Sequence, residues 1–488
     1  MTILTNIRTF ACIAVSLAGT AGSQAQTGRL SLQEAIRLAQ EQSFEYKVAQ
    51  NRHQSSLWNF RNFTASFRPK LYLDGTLPNY SRAISRITLP SGEDAFVNQN
   101  QAYSALNLGI RQQVAATGGS ISVSSSLNRI DVLGQNRSIR YNTVPVSVSY
   151  SQNTIGYNPF KWQKRTEPLR MEAANRELSN AMEQIGQQAV NHYFDMLAAQ
   201  TRLRLSRQNL ARADTLYRLT QDRFRLGTVS QSELLQLRLN VLNAANAATQ
   251  DSISQVLAQQ QFVRYLSLPA AAHWELDIPE AITFFIITFD QALDKARTNS
   301  KAVIDYRLQR LDAEQNLARS RAENSLKFNI QANLGLSNTA PNFQQLYQGL
   351  ENQQNVLLGF SLPLLDWGFT KTQKMRAEAN LAMVEAQIEQ GEMQLEQEIA
   401  LHVARWNAHR QQVATATETR DIASRNYDLE MQRYLAGTIS INDLNAAQGR
   451  KDDAANAYIQ AIRTYWSLYY SIRRLTLYDF HNQQHIHQ

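Results

Sequence analysis

The sequence predicts an internally duplicated chain that joins membrane β-barrel strands to a long α-helical coiled-coil barrel, in a trimeric assembly. Three observations predict it. The second half of the chain repeats the order of the first; segments of strict apolar–polar alternation stand between long stretches poor in proline and glycine; and those stretches carry an apolar residue at every seventh position.

The repeat is clearest late in each half. Tyr217 to Ala247 and Tyr427 to Ala457 align without a gap and agree at 11 of 31 positions, among them Arg223 with Arg433, Gly227-Thr228 with Gly437-Thr438 and Ser230 with Ser440. Glu233 answers Asp443. Trp162, Ala174 and Asn175 answer Trp367, Ala379 and Asn380, and at the front Ala35, Ala39, Ser43 and Lys70 answer Ala292, Ala296, Ser300 and Lys327. Each half therefore reads as a helix, then strands, then two long helices.

In chain order, Ile3 to Leu17 are mostly apolar with one arginine, Arg8, and Ser23-Gln24-Ala25 offers small residues where a signal peptidase cuts. Residues 1–25 are expected to be a signal peptide. The single cysteine, Cys12, lies within it, so the mature chain is expected to lack disulfides, thiolate metal sites and cysteine catalysis. The first repeat is expected over 26–268, with an opening helix from about Ser31 to Ser66, strands within about 68–152 and a helical hairpin over 162–268.

Leu71 and Leu73, then Val144, Val146, Val148 and Tyr150, alternate with small or polar residues, as in a strand with one apolar face. A further hairpin is expected between them, from Leu106, Leu108 and Ile110 through Thr117-Gly118-Gly119 to Ile121 and Val123. Its place, in the barrel wall or as a loop, is left open by the pattern. From Trp162 to Leu226 a helix of roughly 60 residues, about 90 Å, is expected. Met196, Leu203, Leu210, Tyr217 and Phe224 form its heptad seam, with Ala199, Ser206 and Ala213 as the small partners.

A linker is expected over 269–288. It runs into the most apolar stretch outside the signal, Ala281 to Phe289, which falls short of the roughly 18 to 20 residues of a spanning helix. The second repeat, 289–480, has an opening helix to about Ser325, strands within about 327–363 and a helical hairpin over 367–478. Phe328, Ile330, Ala332, Leu334 and Leu336 alternate with Asn329, Gln331, Asn333 and Gly335. Residues 481–488 are a polar tail whose His481, His485 and His487 are read as disordered rather than as a metal site.

Two strands from each half cannot close a membrane barrel, which needs at least about eight. Open edges are intolerable in lipid, so copies must share one barrel, and three copies of four strands give twelve. The attached helices then continue the ring on the water side.

Above all in Arg-Phe-Arg-Leu-Gly-Thr-Val-Ser-Gln-Ser-Glu-Leu at 223–234 and Arg-Tyr-Leu-Ala-Gly-Thr-Ile-Ser-Ile-Asn-Asp-Leu at 433–444, the chain resembles the TolC-like outer membrane efflux proteins. The resemblance spans the mature chain. It implies a homotrimeric channel in the bacterial outer membrane, its twelve-stranded barrel in lipid and its helical barrel in the periplasm. Such a channel works with a periplasmic adaptor and an inner membrane pump, in tripartite efflux or type I secretion. By the same resemblance, Arg223, Gly227, Thr228, Val229 and Ser230, with Arg433, Gly437, Thr438, Ile439 and Ser440, become adaptor-docking tips. Glu233, Tyr434 and Asp443 become residues of the periplasmic gate or mouth. Ile439 stands where some members place the gate arginine, and Ala446 replaces a further acidic residue, which argues against that latch here. Read without any family, Gly227 and Gly437 end one helix, and Ser230 and Ser440 cap the next with Glu233 and Asp443 three positions on.

Other function classes find little support. No phosphate-binding loop, dinucleotide fingerprint, nucleophile elbow or zinc-protease motif is present, so no catalytic residue, metal or cofactor is expected. The net charge of +8 is interleaved with acids and forms no nucleic-acid patch. Trp162, Trp367, Tyr150 and Tyr157 are candidates for an interfacial aromatic girdle. The competing readings are a structural periplasmic coiled-coil protein and the periplasmic adaptor itself.

Overall fold

The computed structural model describes residues 27–486 apart from 89, 135–136, 154–155, 270–272, 280–282 and 363. The expected signal peptide, Cys12 and His487 lie outside the described residues. In chain order the elements are β1 (Thr27–Leu30), α1 (Leu32–Gln42), α2 (Phe44–Ser66), β2 (Lys70–Thr88), β3 (Asp94–Val114), β4 (Gly119–Val132), β5 (Ser138–Gln152), α3 (Pro159–Arg225) and α4 (Gln231–Tyr265). Then follow β6 (His273–Leu276), α5 (Phe289–Asn299), α6 (Lys301–Glu323), β7 (Lys327–Ala340), β8 (Glu351–Ser361), α7 (Phe369–Leu435), α8 (Ile441–Thr476), β9 (Tyr478–Asp479) and β10 (Gln484–His485). Helix bounds recur at the offsets of the sequence echo: α1 and α5 have 11 residues each, α2 and α6 have 23, and α3 and α7 have 67.

Both opening helices are broken where a single one is expected. Ser43 and Ser300 sit in extended backbone, ψ 158° and 147°, and both are buried, so neither can continue the helix before it. Serine hydroxyls compete for nearby backbone groups, and a non-helical serine between two helical runs is a natural stop.

By contacts the chain forms two compact units. The first comprises residues up to 43, 188–282 and 416–463. Its interior holds Tyr193, Phe194, Met196 and Phe262, all fully buried. β1 and β6 pair in parallel, and the Tyr193 hydroxyl reaches the carbonyls of Leu30 at 3.1 Å and Asp277 at 2.6 Å, tying both strand ends to α3.

The second unit comprises 44–187, 283–415 and 464–488. It contains an antiparallel sheet in the order β2-β3-β4-β5-β7-β8. The pattern leaves the place of the Gly118-Gly119 hairpin open; in the structure it pairs on both sides, so the sheet has six strands and not four. Gly118 turns at φ +86°, and Asn158 caps the turn by donating to the carbonyls of Ala115 and Ala116 at 2.8 and 3.1 Å. The two prolines within strands, Pro78 and Pro145, fall at register shifts between Thr76 and Asn79 and between Thr143 and Val146, where a missing N–H costs no ladder bond.

Register gathers Leu71, Ile110, Val123, Val148 and Leu334 into one cross-strand row, with further rows of the same character on that face. The opposite face is polar: Ser147 and Ser149 both donate to Asn333, at 2.5 and 3.1 Å, and Asn128 to Asn142 at 3.2 Å. In the same unit Trp406 is buried to 1% and stacks near Phe285 and Tyr465, each at 5.0 Å between centroids. Trp406, Asn407 and Tyr465 hydrogen-bond the backbone of Phe285, Ile287 and Thr283, so residues 283–287 form a pinned strap before α5. No helix among the described residues is long and apolar enough to cross a membrane.

Candidate functional site

Both long helices end in the same backbone device. At the end of α3, Gly227 has φ +73° and its N–H donates to Phe224 at 2.9 Å, while Thr228 N–H and Oγ1 both donate to the Arg223 carbonyl at 3.0 and 2.9 Å. At the end of α7, Gly437 has φ +79° and donates to Tyr434 at 2.9 Å, and Thr438 repeats both bonds to Arg433 at 3.0 and 2.9 Å. The glycine takes the left-handed conformation that lets the chain reverse, and threonine satisfies a carbonyl that the helix end leaves unpaired.

The serine caps follow in each turn but are not equal. Ser440 and Asp443 form a complete capping box: Asp443 N–H donates to Ser440 Oγ at 3.3 Å, and Ser440 N–H and Oγ donate to Asp443 Oδ2 at 3.1 and 2.7 Å. These bonds hold the exposed Asp443 carboxyl below the ordinary carboxylate range. Ser230 accepts from Glu233 N–H at 3.2 Å, whereas the Glu233 carboxylate accepts from the Tyr434 hydroxyl at 3.3 Å. Burial first, with Glu233 nearby, pushes the Tyr434 phenol up.

The echoed arginines diverge as well. Arg223 donates to the carbonyl of Leu435 at 3.1 Å, across the two hairpins, and Arg433 pairs with Glu430 on its own helix at 3.1 Å. Gln236 donates to Asn442 at 2.5 Å and Asn240 to Asn445 at 3.2 Å, zipping the starts of α4 and α8 together.

A common cleft is lined by Arg223, Thr228, Val229, Ser230, Glu233, Tyr434, Gly437, Ile439 and Ser440. Gly227, Thr438 and Asp443 are exposed at its edge. Beneath lies a small core of Leu216, Leu237, Tyr427, Tyr434, Ile441, Leu444 and Ala447, and Ile439 packs against it. The sequence reasoning brought these residues together as tips; it did not foresee that Ile439 and Tyr434 anchor the tip core.

It also missed a polar cluster one or two turns deeper. Asn209 donates to Asp452 at 2.7 Å, and Arg212 and Lys451 lie over the Tyr427 ring at 5.3 and 4.5 Å. Burial pushes the Asp452 carboxyl up and the Lys451 amine down. The signal was present: Lys451-Asp452-Asp453 is a charge run in a helix otherwise rich in alanine, asparagine and glutamine. Among the described residues no three histidine, cysteine, aspartate or glutamate side chains converge as for a metal ion.

The model of the outer membrane efflux protein family matches residues 290–476. Among solved structures, the CmeC outer membrane channel of Campylobacter jejuni is 18% identical at a TM-score of 0.66, covering 91% of this chain and 85% of CmeC. VceC of Vibrio cholerae is 16% identical at a TM-score of 0.60, covering 91% and 95%. The open state of the Neisseria gonorrhoeae MtrE channel is 14% identical at a TM-score of 0.60, covering 91% and 88%. At such identities the structures attest a shared fold. A search by sequence among curated proteins finds no match. Residues 290–476 thus match the outer membrane efflux protein family, and along most of its length the chain has the fold of solved outer membrane channels.

Proposed function

We propose that three copies of this internally duplicated chain form one duct through a bacterial outer membrane, with the helices in the periplasm and the two hairpin tips as docking points for an adaptor fed by an inner membrane pump. The observation that supports it most is the pair of tips: two turns of one hydrogen-bonding pattern, each presenting an exposed Gly-Thr pair, Gly227-Thr228 and Gly437-Thr438. A repeated, backbone-defined knob at the end of a long helix is a surface that a partner hairpin can grip without needing particular side chains. Docking is assigned to Arg223, Gly227, Thr228, Val229, Ser230, Arg433, Gly437, Thr438, Ile439 and Ser440.

The mouth is assigned to Glu233, Tyr434 and Asp443. Asp443 is exposed, and a three-fold axis would repeat it into an acidic ring that favours cations. Ile439, packed on the tip core, supports a mouth held by packing rather than by an arginine latch. The apolar face of the six-stranded sheet supports outer membrane lipid as its surroundings. A purely structural coiled-coil protein, or a periplasmic adaptor, leaves that face without a solvent to match it.

Detergent-extracted protein in a planar bilayer tests this reading. Wild type is expected to purify as a trimer and conduct with cation preference, and the double variant Glu233→Ala, Asp443→Ala to conduct with reduced preference. Recovery as a soluble periplasmic monomer, or silence from well-folded trimers, overturns it.

A further inference from the structure

The resemblance implies four barrel strands per copy; the sheet has six. We infer that all six strands enter the membrane wall and that it closes by edge pairing of β2 with β8 of a neighbouring copy, so that three copies build an eighteen-stranded barrel. The inference rests on the duct reading above.

The first ground is the apolar face. If β2 and β3 formed an external flap or plug, their side chains would have no reason to continue the pattern of the other strands. They continue it. Leu71 and Leu73 on β2 pair with Ile110 and Leu108 on β3, and Ile110 pairs on with Val123 of β4. Val123 in turn pairs with Val148 of β5, and Val148 with Leu334 of β7. On β8, Val356, Leu358 and Phe360 pair with Ala332, Ile330 and Phe328 on the same face. Leu71, Leu73, Val356, Leu358 and Phe360 are each about two-thirds exposed or more in the single chain, so this face and both edges lack a solvent of their own kind.

The second ground is the ladder. β3 and β4 pair without interruption from Gln101↔Val132 to Val114↔Gly119, which is enough for the roughly 9 to 11 residues that a tilted strand needs to cross a membrane. Only the far part of the β2–β3 ribbon, up to the turn between Thr88 and Asp94, runs on beyond β4.

The third ground is the occupant of the edges. β2 and β8 each have one neighbour, so a row of backbone N–H and C=O groups faces outward on each. In lipid those groups must be paired, and six strands are too few to close on themselves. With every pairing antiparallel and six strands in the sheet, β2 and β8 run in opposite directions. β8 of one copy therefore meets β2 of the next in the same antiparallel sense as the rest of the wall. Both edges carry their apolar residues toward the Lys70 and Ser361 ends, so the apolar band continues across the junction. Because diameter grows roughly linearly with strand number, such a wall is about half as wide again as one of twelve, in the range that leaves an aqueous channel.

Cysteine pairing between copies tests the closure. With Cys12→Ala as background, Leu71→Cys and Leu73→Cys are each combined with Leu358→Cys and with Phe360→Cys; a control set combines Val123→Cys on β4 with the same β8 positions. The expected result is oxidised dimers and trimers on a non-reducing gel from at least one β2–β8 combination and none from the β4–β8 set. Cross-links only from β4 overturn the inference, since they place the wall's edge at β4 and β2–β3 outside it. Cross-links from neither set overturn it too. Conductance of the unoxidised variants separates the two readings: if they conduct, the duct stands and only the six-strand wall falls; if folded trimers do not, the duct reading falls with it.

Discussion

Ser230 and Ser440 hold the same place in two helix starts, yet only Ser440 closes a full box, because Asp443 folds back on it while Glu233 is drawn to Tyr434. One carboxylate is spent on a helix end and the other joins the two hairpins. The Asp443 box has a pH signature. Its folded carboxyl is held below the ordinary range, so its contribution is present above the unfolded carboxylate pKa and fades as pH falls through the lower folded value. Protection of the Ser440 and Asp443 amides from exchange, relative to the intrinsic rate at each pH, is therefore expected to fall on acidification below the carboxylate range, and Asp443→Asn to remove most of that pH dependence. Glycine offers a second contrast. Gly437 is left-handed at φ +79° and Gly449 lies within α8, and a methyl group at either meets no atom within 4 Å. Gly437→Ala is expected to lower stability by about 1 kcal/mol, from backbone strain alone. Gly449→Ala is expected to raise it by roughly 0.5–1 kcal/mol, by restricting the unfolded chain and favouring helix. Thermal melting of the detergent-solubilised protein distinguishes the signs.

The long helices were legible because a heptad seam is a local pattern, and the seam also shows where reading at a fixed period fails. Met196 and Leu203 are buried, but Leu210 and Tyr217 are only half-buried and Phe224 is 39% exposed. At the tip the buried positions are Leu216 and Thr220 instead. A helix near 3.6 residues per turn drifts only about 20° per heptad from a strict seven-residue repeat, too little to turn Leu216 inward; there the inward side is set by Leu237, Tyr427 and Leu444, with which Leu216 packs. Met196→Ala is accordingly expected to cost about 2–5 kcal/mol, with a cavity left behind, and Phe224→Ala less than about 1 kcal/mol, a difference that melting temperatures resolve. The Ser43 and Ser300 breaks were hidden because each lies in a stretch whose flanks are both helical in pattern. The turns were legible in their helix-ending glycines and capping serines, though only Ser440 and Asp443 complete the box that the spacing suggests for both. The bonds from Tyr434 to Glu233 and from Arg223 to Leu435 were not, since they depend on how two hairpins distant in sequence come together.

At the scale of the whole chain, the alternation of single strands was visible, but the count of strands in one sheet was not. Periodicity assigns a face to each segment and leaves open which segment pairs with which; the Gly118-Gly119 hairpin joins the sheet through ladders on both sides. The resulting sheet makes a demand that either solvent can test at adjacent residues of β4. Val123 is on the apolar face at 44% exposure, in the row with Ile110 and Val148, and Ser124 is on the polar face opposite Ser147. If the apolar face meets lipid, arginine at Val123 costs about 2–4 kcal/mol near the bilayer midplane, and arginine at Ser124 stays in water within the duct. Val123→Arg is therefore expected to reduce heat-resistant trimers in outer membrane fractions severely. Ser124→Arg is expected to leave trimer yield near wild type and to shift bilayer selectivity toward anions, as positive charge does in a pore lining. Equal tolerance of both substitutions would mean that neither face is in lipid. The reverse ranking would mean that the sheet is assembled with its faces exchanged, a result that no shift of register by an even number of residues can produce.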